Sequence, residues 1–206
     1  VELVKFVRKL PTFSPEKQQE YLSDGWILLR EPKYLALSIF LSVPLMFVLG
    51  AIAFWVMGLF GPLSWEAFGI TKVGDSFSGE ISLLLIPLIL AVLLLHELIH
   101  LVMVPNFLTS PTTVFGLTWF GGFAYTEEVL ARNRFILVAL MPFVLISVVL
   151  PVVLGLSGLL GASARLCIFL NAAACSVDFF NIFLVLWQVP RHGRIAMNGP
   201  ITYFRR

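Results

Sequence analysis

The chain has 206 residues, of which 59% are hydrophobic and 13% charged, with a mean hydropathy of +0.94 and a formal net charge of +2. Soluble domains are roughly 45–50% apolar and about 25% charged, so this composition excludes an ordinary soluble domain and implies an integral membrane protein. The charge is too small for a nucleic-acid partner, and no basic run interleaves with aromatics.

By length this is one domain. The two cysteines, Cys167 and Cys175, lie eight residues apart in one apolar segment. A helix would hold them roughly 12 Å apart, too far to bridge, so no disulfide framework is expected. No signal peptide is expected either, because the first hydrophobic run begins near Tyr34, after a charged segment.

Residues 1–33 mix charges, with Lys5, Arg8, Lys9, Lys17, Arg30 and Lys33 set among five acids and an apolar component that includes Tyr21 and Trp26. They read either as an interfacial segment resting at the headgroups or as a partly ordered cytosolic tail. The first span, Tyr34–Phe60, is uncharged and exceeds the about 20 residues that a bilayer core requires. Residues 61–80 form a loop with Trp65 as an interfacial anchor. The second span, Ile81–Val104, is stopped by Pro105-Asn106. The third runs from about Phe135 to Leu156, with Pro142 and Pro151 inside it, and the fourth from about Ala164 to Val189.

Between the second and third spans, Thr112–Phe120 and Phe123–Thr126 are β-prone and flank Gly121-Gly122, a two-residue hairpin turn by composition. Such a hairpin either offers an unpaired edge to an extended peptide or is a surface feature with no substrate role. The fold class expected is therefore an all-α membrane protein with about four transmembrane helices and a short β-hairpin between helices 2 and 3. Its parts are an interfacial or cytoplasmic segment (1–33), a four-helix transmembrane domain (34–190) and a basic cytoplasmic tail (191–206).

Lys and Arg number six in the N-terminal segment, one, two and one in the successive loops, and four in the tail. The bias puts both termini in the cytoplasm and the end of the second helix toward that side.

The second span carries the chemistry. His96-Glu97-Leu98-Ile99-His100 is an H-E-x-x-H motif, and Leu84–Leu95 before it is aliphatic except for Pro87. On a helix the two histidines share one face a turn apart, so both imidazoles can ligate one zinc ion. Glu97 beside them is placed to take a proton from water. An acidic residue in mid-span costs roughly 2.5–3.5 kcal/mol on insertion scales, and metal coordination supplies a reason to tolerate it.

A catalytic zinc needs a third protein ligand. Asp178, in the middle of the fourth apolar span, is the intramembrane acid that demands a partner. Asn171, Cys175 and Asp178 recur at i, i+4 and i+7 and form one polar stripe. Asn171 would hydrogen-bond a scissile carbonyl or oxyanion, or serve as interhelical glue. Cys175 is a ligand by chemistry or a small buried hydrophobe. Asn181 carries little signal. Glu127, Glu128 and His192 are expected to face water or headgroups.

These features resemble the site-2 protease group of intramembrane zinc metalloproteases: a motif helix, and a later helix with an aspartate and an upstream asparagine. More closely, Tyr21–Trp26, Glu31-Pro32-Lys33, His96–His100 and Ser176-Val177-Asp178 resemble the small bacterial membrane proteins grouped as zincin peptidases, over about residues 20–190. The resemblance implies His96, His100 and Asp178 as zinc ligands, Glu97 as catalytic base and Asn171 in a polar supporting role. Two features depart from the site-2 pattern: Phe179 stands where a glycine usually follows the aspartate, and Ala172–Val177 holds no proline.

The expectation is a zinc-dependent metalloendopeptidase in a bacterial cell membrane, with Zn2+ as cofactor and a membrane protein or peptide as substrate. The sequence leaves a regulatory membrane partner open. The rival readings are a zinc-binding scaffold or sensor without hydrolysis, and a metal or proton transporter using the same polar residues.

Overall fold

The computed structural model describes residues 5–73, 76–79, 85–118 and 121–206. Among the described residues, four helical stretches are long and apolar enough to cross a membrane: Leu35–Gly58, Leu85–Met103, Arg132–Leu156 and Ala162–Gln188. They match the four predicted spans to within a few residues at the described ends. Ile81–Leu84, where the second span was expected to begin, lies outside the described residues.

The first span is one helix, α2 (Leu35–Gly58), about 36 Å long at 1.5 Å per residue, with Pro44 inside it. It follows a short amphipathic helix, α1 (Pro15–Ser23), which is capped as its sequence dictates. Ser14 accepts a hydrogen bond from the Lys17 N–H at 3.2 Å, and Pro15 opens the first turn. The second span is α3 (Leu85–Met103). The third is composite: α4 (Arg132–Pro142), a π-helical turn over Phe143–Val149, and α5 (Leu150–Leu156). Pro142, lacking an N–H, breaks the i→i−4 ladder where the π-helical turn begins. The fourth is α6 (Ala162–Ala174) and α7 (Ser176–Gln188), hinged at Cys175. Hydrogen bonds from Cys175 N–H to Asn171 O and from Phe179 N–H to Cys175 O, both 3.0 Å, carry the direction of the helix across the hinge.

The expectation of an all-α chain is corrected by the sheets. Strand β1 (Lys5–Val7) lies parallel to β5 (Val114–Thr118), which pairs antiparallel with β6 (Gly121–Tyr125). A second sheet runs in the order β2 (Ile27–Leu28), β9 (Ile201–Arg205), β8 (Arg194–Asn198), β7 (Leu130–Ala131). A third pairs β3 (Ile70–Val73) with β4 (Ser76–Gly79) in the first loop. Short strands drawn from segments far apart in sequence leave no local alternation to read. The hairpin expected between the second and third spans is β5–β6, but the Gly121-Gly122 pair is not its turn. Gly121 and Gly122 lie within β6, opposite Thr118 and Leu117; Trp119 and Phe120, expected to end the first strand, lie outside the described residues.

The pairings place the N-terminal segment, the α3–α4 connection and the C-terminal residues at one end of the helical bundle. Arg30 and Gln188 exchange hydrogen bonds of 2.8 and 3.0 Å, joining the entry to α2 with the exit of α7. Glu127 and Glu128, expected to be solvated, are instead held in this layer. Glu127 pairs with Lys17, and Glu128 accepts from Ser110 Oγ at 2.6 Å. The apolar core within the bundle packs Leu49, Ala53 and Met57 of α2 against Ile168, Ala172 and Cys175, with Phe143 from the π-helical turn.

Candidate metal centre

Both motif histidines project from the last two turns of α3 toward the start of α7. His96 Nε2 lies 3.1 Å from His100 Nε2 and 3.3 Å from Asp178 Oδ2, while His100 Nε2 lies 3.6 Å from Asp178 Oδ1. The helical period does this for the histidines, one turn apart. The hinge at Cys175 brings Asp178 to them from α7.

The opposite ring nitrogens are occupied. His100 Nδ1 is 2.9 Å from the Val138 carbonyl, which can only accept, so this nitrogen carries the proton. His96 Nδ1 is 3.0 Å from Asn171 Oδ1. The Asn171 amide is oriented by its other partners: Nδ2 donates to Ser147 Oγ at 2.9 Å and to the Pro142 carbonyl at 3.4 Å. Oδ1 therefore faces His96 as an acceptor, and Nδ1 donates to it. In both neutral rings Nε2 is left as a bare lone pair.

Three acceptors thus converge: two imidazole nitrogens and a carboxylate. Without a cation between them they repel, and protonating both rings instead would set two imidazolium ions 3.1 Å apart inside the bundle. A tetrahedral zinc with ligand bonds of about 2.0–2.2 Å separates its ligand atoms by roughly 3.3–3.6 Å, close to the observed spacings. The donor set fits zinc, and the outer hydrogen bonds are those that orient ligand histidines.

Cys175 does not complete this set. It belongs with His96 and Asp178 to a cluster whose ligand atoms fall within 4.8 Å of one another. Yet its sulfur lies 3.8 Å from His96 Nδ1, the nitrogen turned away from His100, and accepts from Asn171 Nδ2 at 3.6 Å. It packs behind the ring rather than facing the point where the three acceptors meet.

Glu97 stands apart from the three. Its Oε2 accepts a hydrogen bond of 3.1 Å from the Ala124 N–H, on the edge of β6 that β5 does not cover. Gly122 makes this approach feasible, since a Cβ there would come within 2.7 Å of Glu97 Cγ. A cavity of about 230 Å3 opens between Glu97, His100, Asp178, Ala124 of β6 and Thr126 just after it. Asn181, one turn beyond Asp178, lines the same cavity. His192 is exposed, in the turn between α7 and β8.

Sequence reasoning missed Ser147, Val138 and Ala124. Val138 and Ala124 act through backbone atoms, which no side-chain pattern reports. Ser147, a polar residue in an otherwise apolar stretch and fully buried, did carry a signal.

A family model described as "Putative zincin peptidase" matches residues 89–193, half of the chain, and the matched stretch contains His96, Glu97, His100, Asn171 and Asp178. No curated protein and no solved structure matches the chain.

Proposed function

The chain belongs to the zincin peptidase family, and from that premise we propose that it is an intramembrane metalloprotease that cleaves membrane-protein or peptide substrates. Family membership implies a zinc metallopeptidase. The reading assigns His96, His100 and Asp178 as the zinc ligands, Glu97 as the catalytic base and Asn171 as the residue that holds His96. The observation that carries it is the convergence of three acceptors within 3.1–3.6 Å while both Nδ1 atoms are engaged elsewhere.

Zinc, when bound, supplies Lewis acidity that polarises a carbonyl and acidifies water. Glu97 takes the proton of the attacking water on its carboxylate and hands it to the leaving amine. Its hydrogen bond from Ala124 fixes the carboxylate beside the metal ligands without making it one of them. We assign the substrate to the edge of β6 that β5 does not cover: an extended chain laid beside it runs past Glu97, which already takes the Ala124 N–H.

The site lies in the half of α3 nearer the sheets. That end of the bundle carries twelve of the fourteen Lys and Arg residues, all but Lys72 and Arg165. The bias supports a cytoplasmic location for both termini and for the mouth of the site.

Replacing Glu97 by Gln tests the assignment, because zinc retention does not need the carboxylate whereas hydrolysis does. The variant should keep its zinc and lose cleavage of a fluorogenic peptide library in detergent micelles by about a hundredfold or more. Unchanged cleavage would contradict the role of Glu97. Zinc flux into proteoliposomes, with no cleavage by the wild type, would favour transport instead.

A further inference from the structure

Two cavities meet beside the metal centre. One is the cavity under the β6 edge. The other, about 220 Å3, is enclosed by the start of α2, by α7 and by the β8–β9 turn. Phe135, Asn181 and Met197 line both, so they form a common partition. Asn181 sits three residues after Asp178, which puts the partition within one helical turn of the proposed ligand.

We propose that this second cavity is a specificity subsite, and that it receives one bulky apolar side chain of the substrate adjacent to the bond being cut. The inference rests on the peptidase reading given above. Glu97 and Asn181 line the metal-side cavity together, and Asn181 also lines the second cavity, so a substrate held at Glu97 has this second cavity within reach across Asn181.

The chemistry of the walls selects the occupant. Leu29 and Val185, both buried, line the cavity together with Phe135, Val177 and Met197. Of the polar residues on the lining, Lys33 is exposed. The carboxylate of Glu31 there is already engaged, accepting the Thr202 N–H at 2.7 Å. These apolar walls favour an apolar occupant, since burying a leucine-sized group there removes apolar surface from water. The volume suits one large side chain with its backbone, and it excludes a second folded element. Ser38, half-buried on α2, borders this cavity and not the metal cavity, which makes it the place to fill the subsite without touching the ligands.

The test uses the zinc-loaded full chain in detergent and a series of peptide hydroxamates as probes, with the residue flanking the hydroxamate varied through Gly, Ala, Leu and Phe. Binding is measured, so turnover is not required. The wild type should bind the Leu probe about tenfold or more tighter than the Gly probe. In Ser38→Phe the Leu-to-Gly ratio should fall to about one, because the introduced ring occupies the space. A photoreactive leucine analogue in the same probe, bound to the wild type, gives a readout independent of any variant. It should crosslink to the stretch Leu35–Ser38 or to Val177–Val185, and crosslinks confined to other segments would overturn the subsite. A wild-type Leu-to-Gly ratio of about one, or a ratio unchanged by Ser38→Phe, would also overturn it while leaving the peptidase reading intact. Failure of every probe to bind the zinc-loaded wild type would overturn both.

Discussion

His96 uses both ring nitrogens, and the two sides of that ring define how the centre is held. One faces His100 and Asp178, and the other is anchored through Asn171 to Ser147. Asn171→Leu removes the acceptor for Nδ1 and leaves Ser147 without its donor. Outer-shell changes of this kind cost about 10–100-fold in metal affinity. Chelator competition on the purified variant should show a loss in that range, and an unchanged affinity would mean that Asn171 serves the substrate rather than the ligand. Ser147→Ala should weaken zinc binding in the same direction and by less, since the Pro142 carbonyl still holds the amide. Gly122 is the other residue whose identity is dictated by the site. Gly122→Ala places a methyl group against Glu97 Cγ and should displace the base. Turnover should fall by about tenfold or more with zinc content unchanged. The motif histidines, Glu97 and Asp178 were legible as chemistry because ionisable groups in a span need a reason to be there. Asn171 was legible only as a polar residue. Which of its atoms faces the ring depends on Ser147 and the Pro142 carbonyl, contributed by another helix.

At the scale of elements, α3 and β6 work as a pair. The outward Ala124 N–H donates to Glu97 instead of to another strand. Proline at 124 removes that donor, and an edge strand tolerates it because the lost N–H faces away from β5. Ala124→Pro should therefore retain zinc and the fold while cleavage drops; zinc loss together with misfolding would show that the strand depends on this N–H. The four spans were legible because a membrane helix must be continuously apolar for about 20 residues. The interruptions within them were not. Pro142 and Pro151 both lie in the third span, but the π-helical turn follows only the first. The hinge at Cys175 has no glycine or proline to announce it. The Gly121-Gly122 pair reads locally as a turn. The structure uses Gly122 to admit the Glu97 side chain, a demand that comes from another helix and leaves no trace in the strand itself.

At the scale of the whole molecule, the terminal segments close over the end of the bundle that carries the site. Asn198 binds Ser14 from both sides, accepting from its N–H at 3.0 Å and donating to its carbonyl at 2.8 Å. Tyr125, the last residue of β6, accepts the Gly199 N–H at 2.8 Å, and Lys17 pairs with Glu127 beside it. Burial pushes the Tyr125 phenol above its ordinary range, so it stays neutral at this junction. The sheet layer thus ties the N-terminal helix, the β5–β6 hairpin and the C-terminal strands into one support for the candidate metal centre. Asn198→Ala leaves the Ser14 backbone groups without these partners and should cost about 1–3 kcal/mol of stability, read as a lower thermal midpoint with the zinc stoichiometry unchanged. The central claim is that His96, His100 and Asp178 hold one zinc ion. Metal analysis of the detergent-purified protein tests it most directly. The wild type should carry about one zinc per chain, and His96→Ala, His100→Ala and Asp178→Ala should each deplete it. A wild type that remains metal-free after zinc loading, or full occupancy in Asp178→Ala, would contradict it.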